Sequence, residues 1–403
     1  MPNSSVFHAL CAVSFLARFS YALARNPVLP LYALFLGAGP EAVGLAVGIS
    51  TVTGIFFKLP SGALSDIIGR RRTLLAGLCV FAFMPLAYLT IDNYTQLVIV
   101  RFLHGLATAI YGPVAMAVVA DIAGSRKGEW LSWFSSVGTI GTLLGAPVGG
   151  FLLSQAASQA DHPPGWAFDL IYALCALTGV MALLLGLRWL LQREILPAIH
   201  PRERWQRFRS GIREVASDRT VVVVSSMEGL QNLAMGALEA FLPIFAVTVL
   251  GLTPLQAGLA WGCQIGTVLL AKPLLGHVSD QYGRKPMILL GMFACSGAMG
   301  LLTLAGGFAS LVVPALLFGL GEALVTSSTA AMVADLCRQR HYGTAMGVFG
   351  TLFDIGHASG PLLGGILVGV FGHLAMFQSI AVLLLLSIPA FLWLTPGQRP
   401  SPG

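Results

Sequence analysis

Twelve apolar runs, each long enough to cross a bilayer, follow one another with little between them. They span 7–36, 41–64, 73–91, 95–120, 129–154 and 167–191, then 221–250, 254–278, 286–306, 309–334, 342–371 and 373–395. The hydrocarbon core is about 30 Å thick and a helix rises about 1.5 Å per residue, so one crossing takes roughly 20 residues. A chain of this kind cannot be a string of soluble domains. Asp, Glu, Lys and Arg make up only 10% of its 403 residues and hydrophobic residues 56%, whereas soluble domains carry about 25% charge. The same shortage excludes disorder, which needs high charge and low hydrophobicity. The 47 glycines and 22 prolines show no collagen period and sit inside the apolar runs, where membrane helices tolerate them. The expected fold class is an all-α membrane protein of twelve transmembrane helices.

Positive charge predicts the orientation. Arg70, Arg71 and Arg72 follow run 2, Arg126 and Lys127 follow run 4, and eight arginines lie between residues 188 and 219. Arg284 and Lys285 follow run 8, and Arg338 and Arg340 follow run 10, while the alternate loops contain no Lys or Arg. Positive loops stay in the cytoplasm. Both termini and the 192–220 connection are therefore expected there, in a multi-pass protein of the cell (inner) membrane. Run 1 has no preceding positive region and is expected to act as an uncleaved signal. The net charge of +6 fits topology or anionic lipid. It is spread over loops, unlike a nucleic-acid footprint.

The chain repeats itself. GALSDIIGRRR at 62–72 recurs as GHVSDQYGRKP at 276–286, an offset of 214, and the same offset takes Lys58 to Lys272, Pro40 to Pro254, Gly44 to Gly258 and Gly105 to Gly319. It also carries VADI (119–122) onto VADL (333–336), and GAPVGG (145–150) meets GPLLGG (360–365) with a slip of one. Six runs thus map onto six others in the same orientation, the parallel repeat that places a central cavity between two halves. The expected organisation is a six-helix bundle over 1–191, a cytoplasmic linker over 192–220 and a second bundle over 221–403. Trp205, Phe208 and Ile212 recur among arginines in the linker, which fits a helix lying on the inner membrane face; a solvated linker has the same composition.

The SDIIGRRR and SDQYGRKP loops, RFLHG at 101–105 and the glycine-rich runs 5 and 11 resemble the major facilitator superfamily. Within it, the chain is most similar to the 12-helix drug:H⁺ antiporter branch, over essentially all of residues 7–395. The resemblance implies a latch on the cytoplasmic side, built from Gly62, Asp66, Gly69 and Arg70 with Asp121 as partner. Its second copy is Gly276, Asp280, Gly283 and Arg284 with Asp335. Physically, Gly62 is expected to allow close helix contact and Gly69 a tight turn; a plain basic loop satisfies the orientation rule as well. The resemblance also gives Arg101 a place in proton coupling, although His104 stands where the family often has glutamine. The alternative is an arginine that snorkels to the interface. In run 5, Gly141, Gly145, Pro147 and Gly149 are similar to a helix-packing motif of exporters, one residue out of step; Gly360, Pro361 and Gly364 in run 11 match it in register. Small residues four apart pack helices whatever the function.

Ionisable groups inside the runs are the sharpest chemical signal, since each costs at least ~2.5–3.5 kcal/mol at a helix centre. Arg18 and Arg25 lie in run 1, Glu228 and Glu239 in run 7, Glu322 in run 10, and Asp354 and His357 in run 11. Arg25 plus 214 is Glu239, so opposite charges hold equivalent places. Glu239, Glu322 and Asp354 are the candidate proton carriers, with Arg25 and Arg101 tuning them, because a nearby cation holds a carboxylate ionised and apolar burial protonates it. Static ion pairs locking helices together are the other reading. Phe15, Phe19, Tyr21, Tyr32, Tyr111, Phe241, Phe245 and Trp261 are expected to offer aromatic surface to apolar or cationic ligands, and Trp130 and Trp166 to anchor at the interface.

The six cysteines fall singly in or beside different runs, with no spacing suited to a metal. No phosphate loop or nucleophile constellation points to an enzyme, and no cofactor is expected. The function expected is proton-coupled efflux of small amphipathic compounds by alternating access, as a monomer. The alternative is a carrier of a specific anionic metabolite or lipid-like molecule, motivated by the two arginines of run 1.

Overall fold

In hydrocarbon every backbone N–H and C=O must be satisfied within the segment, so the apolar runs become helices. The computed structural model describes residues 2–157, 163–189, 218–336 and 342–395. Its first-half helices are α1 (Pro2–Leu23), α2 (Val28–Phe35), α3 (Pro40–Ile68), α4 (Arg70–Ala87), α5 (Tyr94–Ile122), α6 (Lys127–Ala157) and α7 (Gly165–Trp189). The second half has α8 (Arg219–Ile244), α9 (Pro254–Tyr282), α10 (Arg284–Leu302), α11 (Phe308–Leu336) and α12 (Tyr342–Leu394).

Two breaks bring these helices to twelve crossings. Run 1 is divided into α1 and α2 at residues 24–27, where the Arg25 and Asn26 amides both turn back to the Ala22 carbonyl before Leu29 N–H to Arg25 O restarts the helix. The apolar pattern runs straight through this point and gives no sign of the break. Conversely, the stretch Ala345–Leu394 is 50 residues of apolar helix, over twice the ~20 that one crossing needs. Gly372, with φ +82° and ψ 173°, divides it.

The repeat is geometric as well as textual. Helices α3 and α9 span Pro40–Ile68 and Pro254–Tyr282, and α5 and α11 span Tyr94–Ile122 and Phe308–Leu336, each pair offset by 214. Gly69 at φ +101° and Gly283 at φ +91° start α4 and α10 in a conformation that favours glycine. A methyl on Gly105 would lie 2.7 Å from Ser50 O and 2.9 Å from Thr53 Cβ; one on Gly319 would lie 2.6 Å from Gln264 O and 2.9 Å from Thr267 Cβ. The two halves thus seat α5 on α3 and α11 on α9 through the same pair of positions.

The chain divides into two compact units, Met1–Ala198 with Leu242–Gly262, and Ile199–Phe241 with Cys263–Gly403. In the first, Leu74, Leu78, Phe81, Tyr111 and Val114 lie in a buried cluster shared by α1, α4, α5, α6 and α7. The linker helix expected around 205–212 lies outside the described residues.

Candidate functional site

The arginine that opens α4 is aimed by the turn at Gly69. Arg70 Nη1 pairs with the Asp121 carboxylate and donates to the Ala117 carbonyl at 2.8 Å, both on α5. The second copy repeats the arrangement more loosely. Arg284 pairs with Asp280 within its own turn, meets Asp335 of α11 at 3.5 Å and reaches the Ser279 hydroxyl at 3.4 Å. The side chain of Asp66 lies outside what the structure describes. Gly62 is not a close-contact position: a methyl there would meet nothing within 4 Å, and at Gly276 it would only touch Ser327 Cβ at 3.8 Å. Between the latch and α6, Arg126 grips Glu129 in a two-pronged hydrogen bond with Nε at 2.7 Å. That bond raises the pKa of the exposed guanidinium further.

Arg101 does not snorkel. It is 0% exposed, donates from Nη2 to Ser50 Oγ at 2.8 Å and from Nε to Ala46 O at 3.4 Å, and lies 5.6 Å from the centre of the Tyr21 ring. Close packing of α5 on α3 at Gly105, one turn further on, leaves the guanidinium no route to the interface. His104 lies on the same helix face, its Nδ1 3.1 Å from the Tyr88 hydroxyl. Arg25, in the break between α1 and α2, covers the same Tyr21 ring at 5.6 Å. Two cations thus address one aromatic ring, an arrangement suited to cation–π attraction.

Glycines of α6 form two small-residue faces. Gly141, Gly145 and Gly149 lie against Phe15, Ala22 and Val28 of α1 and α2. Pro147 lies on the other face, where a methyl on Gly262 of α9 would come 3.0 Å from its Cγ. Ser154 accepts from the Leu255 amide at 2.8 Å, satisfying a donor at the start of α9. In the second unit, Gly360 meets Leu233 and Ala237 of α8, Gly364 meets Ala237 and Phe241, and Pro361 faces Gly236. Gly145 and Gly360 are therefore equivalent, and the slip of one seen in the sequence is real in space.

Of the candidate proton carriers, Glu239 is 4% exposed and lies 3.0 Å from His357 Nε2, which reaches it from α12. Glu322 accepts from Gln264 Nε2 at 3.0 Å, and that amide also touches Met235 Sδ at 2.9 Å. Asp354 is buried at 5% exposure on α12. Sequence reasoning missed His357 and Gln264 as partners. A signal for Gln264 existed: it is Ser50 plus 214, so one position holds Arg101 in the first half and Glu322 in the second. The aromatic expectation is corrected. Tyr21, Tyr32, Tyr111, Phe241, Phe245 and Trp261 are buried in helix packing, with Tyr32 tilted against Phe168 at 4.9 Å, and only Phe15 and Phe19 keep partial exposure. Trp130 packs on Phe7 at 4.4 Å, and Trp166 is exposed. Among the described residues no group of His, Cys, Asp and Glu is placed to hold a metal.

These features coincide with one family. The family model described as Major Facilitator Superfamily matches residues 10–267 and 230–403. The chain belongs to that superfamily. It is a multi-pass membrane transporter whose substrate is a small molecule. It is 23% identical over 371 residues to an uncharacterized transporter of this type from Methanocaldococcus jannaschii, covering 88% of this chain and 89% of the relative. It is 19% identical over 360 residues to the quinolone resistance protein NorA of Staphylococcus aureus, covering 89% of each. It is also 23% identical to the chromaffin granule amine transporter of Rattus norvegicus, over 77% of this chain but only 57% of that relative. Among solved structures, the nucleoside transporter NupG superposes with a TM-score of 0.78 at 14% identity, covering 96% of this chain and 98% of NupG. A bacterial homologue of human Spinster in an inward-facing, occupied conformation gives 0.78 at 14%, over 97% and 96%. At these identities the structural likeness establishes the fold.

Proposed function

We propose that this transporter is a proton-coupled exporter of small amphipathic compounds of the 12-helix drug:H⁺ antiporter branch, working by alternating access. The observation that carries the reading is the set of buried carboxylates on crossing helices, Glu239, Glu322 and Asp354. Each is costly to keep charged in hydrocarbon, and each is a place for a proton. Likeness to a quinolone resistance protein across nine-tenths of both chains supports the export direction. Arg25 and Arg101 tune the carboxylates' affinities as the two halves, 1–191 and 221–403, rock about the substrate with the 192–220 linker between them. The Arg70–Asp121 and Arg284–Asp335 contacts close the cytoplasmic side when substrate faces out. The protein acts as a monomer in the cell (inner) membrane with both termini cytoplasmic.

The test is to neutralise the three carboxylates singly (Glu239→Gln, Glu322→Gln, Asp354→Asn) and record transport against pH. At least one variant is expected to lose the pH dependence of the parent; unchanged profiles in all three defeat the reading. Arg18 and Arg25 on the first crossing support a second reading, a carrier of an anionic metabolite or lipid-like substrate. An anion carrier loses substrate binding in Arg25→Ala, whereas an exporter loses coupling and keeps binding.

A further inference from the structure

Glu228 is not one of the three candidate proton carriers, yet its hydrogen bonding is the most constrained in the second unit. It is 0% exposed in the middle of α8. Its Oε1 lies 3.2 Å from Asn232 Nδ2, and its Oε2 lies 2.7 Å from Thr329 Oγ1 on α11. No Lys, Arg or His among the described residues pairs with it. The same Thr329 oxygen is 2.8 Å from the Val325 carbonyl oxygen one turn earlier in its own helix.

Counting hydrogens decides what this geometry means. A hydroxyl has one hydrogen and a carbonyl oxygen has none. An oxygen–oxygen contact of 2.8 Å needs a hydrogen between its atoms, so the threonine hydrogen belongs to the Val325 contact. The 2.7 Å contact to Glu228 is then left without one unless the carboxyl supplies it. We propose that Glu228 is a neutral carboxylic acid in this conformation, donating to Thr329, and that it is a proton-binding site of the transport cycle. The cycle role rests on the proton-coupled reading above; the protonation does not.

The surroundings suit a site that loads and releases. Glu322 on α11 and Lys272 on α9 are the charged groups whose fields reach Glu228. On the side of α12, Gly229 faces only the Leu352 carbonyl. Release breaks the Glu228 O–H bond, leaves the electron pair on the carboxylate and passes the proton to water. The Lys272 ammonium then faces the new negative charge, and Thr329 accepts no longer. A Thr–Val contact that turns to donate toward the carboxylate is the small rearrangement this requires.

Infrared difference spectroscopy on the full chain in proteoliposomes, between neutral and alkaline pH, tests the protonation directly. The carbonyl stretch of a protonated carboxyl is expected in the parent and lost in Glu228→Gln. Thr329→Val, which keeps the carboxyl and removes its acceptor, is expected to shift that band, and Thr329→Ser to restore it. In the same vesicles Glu228→Gln is expected to lose gradient-driven accumulation and retain substrate exchange. A band unchanged in both Glu228→Gln and Thr329→Val overturns the inference, as does full gradient-driven accumulation by Glu228→Gln. A parent protein that ignores the gradient while the band still disappears in Glu228→Gln refutes the coupled-transport reading and leaves the protonation standing.

Discussion

Gly105→Ala adds a single methyl where the repeat geometry says none fits. It would lie 2.7 Å from Ser50 O, 3.0 Å from Ser50 Cα and 2.9 Å from Thr53 Cβ, well inside the ~3.5–4.0 Å optimum between carbon atoms. Two of those atoms are α3 backbone and cannot rotate away, so the helices must part. Overpacking of this kind costs about 1–3 kcal/mol, offset by up to ~1 kcal/mol from alanine's better helix propensity. The net expectation is a loss of about 1 kcal/mol, or roughly 2–4 °C in Tm by soluble-domain scaling. Gly112 is the internal control, one heptad along the same helix, where an added methyl would meet nothing within 4 Å. Gly112→Ala is expected to match or slightly exceed the parent. Gly319→Ala, 2.6 Å from Gln264 O, should lose as much as Gly105→Ala. Thermal unfolding of detergent-purified protein followed by tryptophan fluorescence reads all three. If Gly105→Ala and Gly319→Ala melt at or above Gly112→Ala, the reasoning that the glycines set helix spacing is wrong.

Ser50→Ala removes the shortest hydrogen bond to fully buried Arg101 and should cost about 1–3 kcal/mol in the same unfolding assay, because a charged donor is left unpaired. Asp121→Asn should change stability by less than about 1 kcal/mol, since the Arg70 pair is partly solvated. Its effect should appear instead in cysteine labelling of the cytoplasmic side, with more label incorporated than in the parent.

The twelve crossings and the duplication were legible because both are written in one dimension: apolar length and a constant offset. The Gly105–Ser50 seat and its Gly319–Gln264 copy were half legible, since the glycines matched but their partners, serine and glutamine, did not look alike. The break at residues 24–27 was invisible because Val28–Phe35 is as apolar as what precedes it. Depth was also invisible. Arg101 sits about six residues from the end of its run, and only the packing of α5 on α3 shows that it is sealed in. Partners far apart in sequence, such as Glu239 with His357 across 118 residues and Glu228 with Thr329 across 101, depend on how helices are assembled. The aromatic side chains misled for a general reason: large rings fill helix seams as readily as they line a ligand site.

Uptake into vesicles containing only this protein tests the central claim most directly, with a proton gradient imposed and a panel of amphipathic cations and neutral compounds supplied. Substrate is expected to accumulate against its own gradient, in the opposite sense to the protons, and to leak back when a protonophore is added. Accumulation that is the same with the gradient, without it and with the protonophore would contradict proton-coupled export.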